Sequence, residues 1–330
     1  MNYDKPFITY EAMIQQMRSR GIIVSDEAFA MHALDSVSYY TLVNGYNDLF
    51  LADSETESFS AGTRFEDLYA LHVLDMDFGS IVLKYILHFE TTLKSRMSYF
   101  VSSRYGVTED DYLEPQNYNL TKNRNRVHHV TNYLKRAAHN PNTRNSSLLH
   151  YQQKHNHIPP WILVNVLTIG NMQKWYEIMT NRDKNALCSL FLPSKDPNYS
   201  TEKDFFLSSI KLIRNFRNAA AHGRPTCAAL SKYQLPKGYL IKHSDGIVTP
   251  KDFEHNPYAR SGMYGVLAAL YILLPDKFLR YVLIMDLLNE LKMHQNIKIH
   301  GKSIPETFHL PDSFHDRLIR LLPKEYAKNL

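Results

Sequence analysis

Thr63–Gly106, TRFEDLYALHVLDMDFGSIVLKYILHFETTLKSRMSYFVSSRYG, decides how the rest of the chain is read. Thr63 and Glu66 have the spacing of a capping box, in which each side chain satisfies a backbone N–H of the first turn. Apolar residues then recur every three or four positions, and Ile86, Phe89, Leu93, Met97 and Phe100 share one stripe, as a helix face requires. Gly79 marks a point where the helix is expected to break, and Gly106 closes the run. Glu90 borders the stripe, with Lys94 one turn later to neutralise it.

The helical period extends in both directions and predicts an all-α fold. Upstream, Tyr10, Met13, Ile14 and Met17 form a stripe that Gly21 stops. Ser25 reads as a cap, followed by the acidic first turn Asp26-Glu27, for a helix through Met31 to Leu34. The polar tract 53–62 reads as an exposed loop. Downstream, Trp161 to Tyr176 reads as one buried helix, and Phe206, Ile210, Ile213 and Phe216 open another. The Gly-containing stretch within 237–253 suggests a short β-hairpin, followed by helices at about Tyr258–Leu273, Asp276–Lys292 and Pro311–Leu322. The expected organisation is a helical core over residues 1–229 and a mainly helical extension over 230–330.

Composition bounds the function. Of 330 residues, 44% are hydrophobic and 22% charged, which suits a packed core rather than disorder. The two cysteines, Cys188 and Cys227, argue against a disulfide framework or a cysteine zinc site. The apolar run from Met263 to Leu274 ends at Pro275, too short for a bilayer, so a soluble cytoplasmic protein without a membrane partner is expected. Phosphate-binding, dinucleotide-binding and nucleophile-elbow motifs are absent from the sequence.

Charge is unevenly placed. Lys and Arg number 38 against 33 acidic residues, yet no Asp or Glu occurs from Pro115 to Tyr176. That interval carries Lys122, Arg124, Arg126, Lys135, Arg136, Arg144 and Lys154, a natural attractor for the phosphates of RNA. Tyr118, Tyr133 and Tyr151 would offer rings for stacking bases. The plainer alternative is a solvated surface rich in Asn and His. His150, His155 and His157 lack a nearby carboxylate and standard zinc spacing, so neither a metal nor a cofactor is expected.

The segment IRNFRNAAAHGRP, Ile213–Pro225, carries the candidate chemistry. Asn218 and His222 lie one turn apart on one helix face, with Arg217 beside them and Arg214 one turn earlier. Metal-free RNA cleavage needs a base for the ribose 2′-OH, an acid for the departing 5′-oxygen and a cation for the phosphorane-like charge. Histidine serves either proton role and arginine binds phosphate bidentately. One chain offers one such histidine, so two chains pairing their motifs would supply both roles. The alternative is a helix end with a structural Arg, a capping His and an alanine packing face.

Six segments occurring in order resemble the abortive-infection (Abi) family, in its AbiD/AbiF-like branch. They are KPFITYEAMIQQMRSRGI at Lys5, SYYTLVNGY ending at Tyr46, FEDLYALHVLD at Phe65, HFETTLKSRMSYFVSSRYG at His88, IPPWILVNVLTIGNMQKWYE at Ile158 and FRNAAAHGRP at Phe216. The last is similar to the Arg-x(4–6)-His signature of HEPN ribonucleases. The resemblance implies a HEPN-like helical bundle, a homodimer, and a metal-independent endoribonuclease used as an anti-phage toxin, with Arg217, Asn218 and His222 catalytic. It also implies support from Glu90 and Lys94, with Glu90 orienting Arg217 or Arg96, association with a structured non-coding RNA, and an antitoxin partner. Two other readings stay open: a non-catalytic RNA-binding defence protein, and the partner of a nucleotidyltransferase antitoxin. Arg224, where that last class carries a tyrosine, argues against it.

Overall fold

A computed structural model describes residues 6–323 except Ser54 and Lys195, without the side chains of Lys122 and Asn123. The fold is mainly helical, as the period predicts. Its axis is one unbroken helix, Phe65–Tyr105, 41 residues long and therefore about 60 Å end to end. Ile86, Phe89, Leu93 and Met97 are fully buried along it, and Val101 rather than Phe100 continues the stripe.

The helix departs from expectation at both of its marked positions. Thr63 does not cap it: the Thr63 hydroxyl donates to the Ser60 carbonyl at 2.8 Å, and Arg64 occupies the N-cap. Instead, Ile23 pairs with the helix entry, its N–H donating to Thr63 O and its carbonyl accepting from Phe65 N, each at 2.9 Å. Gly79 does not break the helix either. It faces Ala220 and Thr226, and a Cβ there would meet the Thr226 hydroxyl at 3.8 Å.

At the N-terminal end, the helices Tyr10–Ser19 and Glu27–Ser36 pack on each other, the second capped by Asp26 rather than Ser25. Gly21 follows the first with a φ of +90°, a backbone state that glycine tolerates and side chains resist. The polar tract is an exposed turn at residues 55–57, as expected, but Asp53 and Ser58–Phe59 within it take part in a small antiparallel pair, Leu51–Asp53 with Ser58–Phe59. A second pair joins Lys298–Ile299 to Lys302–Ser303.

No hairpin forms within 237–253. The stretch folds as two helices, Lys237–His243 and Pro250–His255, joined through Asp245 and Gly246 at positive φ. Thr249 and Asp252 form the capping box that starts the second, with Pro250 in its first turn, where a missing N–H costs nothing. The segment expected as a single helix from Trp161 to Tyr176 is also divided: a turn at Pro160–Leu163, a 3-10 turn at Val164–Val166, then a helix at Ile169–Ile178. Thr168 and Asn171 cap that last helix reciprocally.

The motif-bearing helix, Ser200–Ala221, packs against the long helix and against Ile169–Ile178. Phe206 anchors it between Phe191 and Tyr176, with ring centroids 4.8 and 5.2 Å away. From the C-terminal part, helix Met263–Leu273, buried on all sides, packs on both of these helices, and Lys277–Met293 lies along the long one. The buried apolar cluster runs from Ile14 to Leu322. Among the described residues, no helix is long and apolar enough to cross a membrane.

Candidate functional site

Every residue from Ile213 to Ala221 is helical, so Arg217 and Asn218 point about 100° apart and serve different sides. Arg217 faces the long helix. Its Nε lies 3.9 Å from Glu90 Oε2, while Lys94 Nζ sits 2.9 Å from Glu90 Oε1. Glu90 is 7% exposed, so its charge is compensated by two cations within the protein rather than by water. At 3.9 Å the Arg217–Glu90 pair is an ion pair without a hydrogen bond, and both facing atoms are buried and otherwise unbonded. The guanidinium thus keeps its donors unspent while the buried carboxylate attracts it.

Asn218 faces the other way, into a cleft of about 560 Å³ shared with Asn215, Ala219 and Arg224. The opposite wall is the turn Tyr40–Asn44, which is π-helical, closed by Gly45 N–H donating to Tyr40 O at 3.0 Å. Gly45 lets that wall approach: a Cβ would sit 2.9 Å from Pro225 Cγ and 2.3 Å from Thr41 O. His222 is the exposed C-cap of the motif helix. Gly223, at φ +60°, and the Arg224 N–H bonded to Ala219 O at 3.0 Å turn the chain off the helix, as the sequence Gly-Arg-Pro predicts.

What holds this helix end is a buried carboxylate that sequence reasoning missed. Asp75, on the long helix, accepts hydrogen bonds from Thr226 N at 2.7 Å, Thr226 Oγ1 at 2.6 Å, Cys227 N at 2.9 Å and Tyr46 Oη at 3.1 Å. It therefore ties the chain just after the motif to the chain just after the cleft's far wall. Burial pushes the Asp75 carboxyl up, against the four donors that pull it down. Burial, with Asp75 beside it, raises the Cys227 thiol as well, so this cysteine is an inert packing group.

The remaining expected residues separate. Arg214 lies against Gly170, where a Cβ would meet its Cδ at 3.4 Å. Arg96 is engaged elsewhere than with Glu90: it donates to the Leu190 carbonyl and covers the Phe191 ring at 4.7 Å, with burial lowering its pKa. Of the basic interval, Arg124, Arg136, Arg144 and Lys154 are exposed. Lys135 pairs with Asp110 at 3.1 Å, and Arg126 pairs with Glu177. Lys122 has its side chain outside the described atoms. Glu177 also binds Lys211 of the motif helix at 3.1 Å, so one carboxylate joins the basic helix Leu120–Ala138 to the helix that carries the motif.

Of the three tyrosines expected to stack bases, Tyr118 is 3% exposed, takes a hydrogen bond from Trp175 Nε1 and donates to Tyr112 O, so it belongs to the core. Tyr151 packs on His155, and Tyr133 remains exposed beside Arg136. His157 turns to Asn156, away from a shared site with His150 and His155. A different trio, Asp77, Glu290 and His294, brings ligand atoms within 4.8 Å of one another where the long helix meets Lys277–Met293.

The fold and site together define a helical protein that fixes an Arg-Asn-x-x-x-His helix end beside a polar cleft. The model of the Abi-like protein family matches residues 32–226, which contain the long helix, the motif and all of the cleft lining except Ala228 and Ala229. The chain belongs to that family. No curated protein and no solved structure matches it.

Proposed function

We propose that this chain is a metal-independent endoribonuclease of the HEPN type, used as an abortive-infection toxin and active as a homodimer. The supporting observation is the division of labour around one helix end: Arg217 faces buried Glu90, while Asn218 borders the cleft and His222 stands exposed at the C-cap. In the reaction, the ribose 2′-oxygen attacks phosphorus and the bond to the 5′-oxygen breaks. One His222 takes the 2′-hydroxyl proton and the partner's His222 supplies a proton to the leaving oxygen. Arg217 offsets the charge gathering on the phosphorane-like centre, and preorganised donors of this kind are worth about 10²- to 10³-fold in rate. Asn218 holds a phosphate oxygen or the imidazole.

The exposed Arg124, Arg136, Arg144 and Lys154 would hold the flanking RNA, or a structured RNA bound alongside, and an antitoxin would restrain the activity. The test is cleavage of labelled RNA in EDTA by wild type and His222→Ala, with product ends identified. Cleavage by wild type alone, leaving 2′,3′-cyclic phosphate ends, supports the proposal. The second reading is an RNA-binding protein without catalysis, favoured by exposed cations that lie apart from the motif helix: Arg124 and Arg136 on Leu120–Ala138, Arg144 in the loop after it and Lys154 at the end of Ser146–Lys154. Equal, salt-sensitive RNA binding by both proteins with no cleavage by either would select it.

A further inference from the structure

The cleft beside Asn218 has the wrong lining for a phosphate site and a suitable one for a base. Phosphate recognition calls for clustered cations, but this cleft has Arg224 alone at its edge, with the Asp48 carboxylate also on its wall. The other polar groups are the Tyr40 hydroxyl, the Tyr46 hydroxyl that is spent on Asp75, and three side-chain amides. Of these amides, Asn215 gives one N–H to Ser231 at 2.9 Å and Asn44 accepts from Arg20 at 3.5 Å, leaving Asn218 and the remaining amide atoms for a ligand. Amides offer paired donor and acceptor, the pattern that reads a base edge, and a carboxylate accepts from amino and imino N–H groups. Gly45, Ala219, Pro225, Ala228 and Ala229 complete the lining, and the open cleft has room for a small planar ligand.

Tyr40 completes the chemistry. It is 75% exposed, an unusual state for a tyrosine at the mouth of a cleft, and no packing role accounts for it. It sits on the π-helical turn, a conformation that is rare and that recurs at functional sites. An exposed aromatic face next to amide side chains is how single-stranded nucleic acid is gripped: the ring stacks on the base while the amides meet its edge.

We infer that this cleft receives one nucleobase of single-stranded RNA, stacked on Tyr40 and read at its edge by Asn44, Asn215 and Asp48. The inference rests on the proposed nuclease reading for its purpose, because a base seated there would set which phosphate comes beside His222. Asn218 lies on the border of both and would link base recognition to cleavage position. Asp48 favours a base presenting N–H donors over uracil, whose pairing edge offers one donor between two acceptors.

The test uses the full chain with His222→Ala, which removes cleavage, and short single-stranded oligoribonucleotides carrying 2-aminopurine at successive positions. At one position, stacking should quench the fluorescence. Adding Tyr40→Ala should abolish that quench and weaken binding by about 5- to 100-fold, the effect of losing one base–aromatic stack. Tyr40→Phe should keep both. In the otherwise wild-type chain, Tyr40→Ala should scatter the cleavage positions and raise KM more than it lowers kcat. Unchanged quenching and affinity in Tyr40→Ala would overturn the inference while leaving the nuclease reading intact. Loss of cleavage by wild type with the Tyr40-dependent quench preserved would overturn the nuclease reading and keep the base site. A Tyr40→Ala protein that changes oligomeric state but binds RNA normally would assign the cleft to a second copy of the chain and overturn the inference.

Discussion

Replacing Asp75 tests the device that holds the motif helix end. Its Oδ1 accepts from Thr226 Oγ1 and Cys227 N, and its Oδ2 from Thr226 N and Tyr46 Oη. In Asp75→Asn, either orientation of the amide turns its NH2 toward one backbone N–H and one hydroxyl. The hydroxyl can rotate and accept, but the backbone N–H cannot. One buried donor is therefore left unmet, which costs about 1–3 kcal/mol, and the surviving bonds lose their charge assistance. We expect Asp75→Asn to lose about 2–3 kcal/mol. Asp75→Ala orphans both backbone donors and adds a cavity, for about 4 kcal/mol. Thr226→Val removes one hydroxyl donor, for about 1 kcal/mol. Urea unfolding at neutral pH, compared at constant m, reads all three. Asp75→Asn within about 0.5 kcal/mol of wild type would refute the reasoning, because a carboxyl protonated in the fold would be mimicked well by an amide.

Further outcomes follow from other contacts. Gly45→Ala should cost about 2–3 kcal/mol, since the added carbon meets backbone at Thr41 and the ring of Pro225; thermal unfolding checks it. Glu90→Gln should lower RNA cleavage by about ten- to a hundredfold through a misplaced Arg217, while oligonucleotide affinity changes by less than about twofold. Asp252 is buried in part, yet Arg317 and Thr249 hold its carboxyl below the ordinary range. Its contribution is thus present above the unfolded carboxylate value of about 4 and lost as pH falls through the lower folded value. Asp252→Asn should lose about 2–3 kcal/mol at neutral pH, and its gap to wild type should close in acid denaturation below about pH 4.

The long helix was legible because its apolar period lies in one contiguous stretch and needs no partner to be seen. The end of the motif helix was legible for the same reason: Gly223 and Pro225 act locally. The division at Thr168 was masked because Ile162, Leu163, Val164 and Leu167 are apolar on either reading, although Thr168-x-x-Asn171 was there as a cap. The 237–253 stretch failed differently, since the Asp-Gly turn there suits helices as well as strands, and the capping pair Thr249–Asp252 decided it. Tyr118 lies in the basic interval by sequence and in the core by packing, because Trp175 and Tyr112 reach it from distant positions. The Arg217–Glu90 pairing came from family resemblance, not spacing. Neither the Asp75 contacts nor the cleft wall at Tyr40 left a trace in any single segment.

The two sides of the Asp75 arrangement are 151 residues apart in the chain. At ordinary elongation rates, roughly ten seconds or more separate the synthesis of one from that of the other. Throughout that time the nascent polypeptide carries Asp75 with Tyr46 already made but without the three donors of Thr226 and Cys227. The motif helix emerges whole before Thr226 and Cys227 arrive to fix its end, and the helix Met263–Leu273 that packs over both comes later still. Assembly of the Arg217–His222 region is therefore among the last events of biogenesis. A messenger cut short before codon 227 would yield fragments in which that region is never assembled.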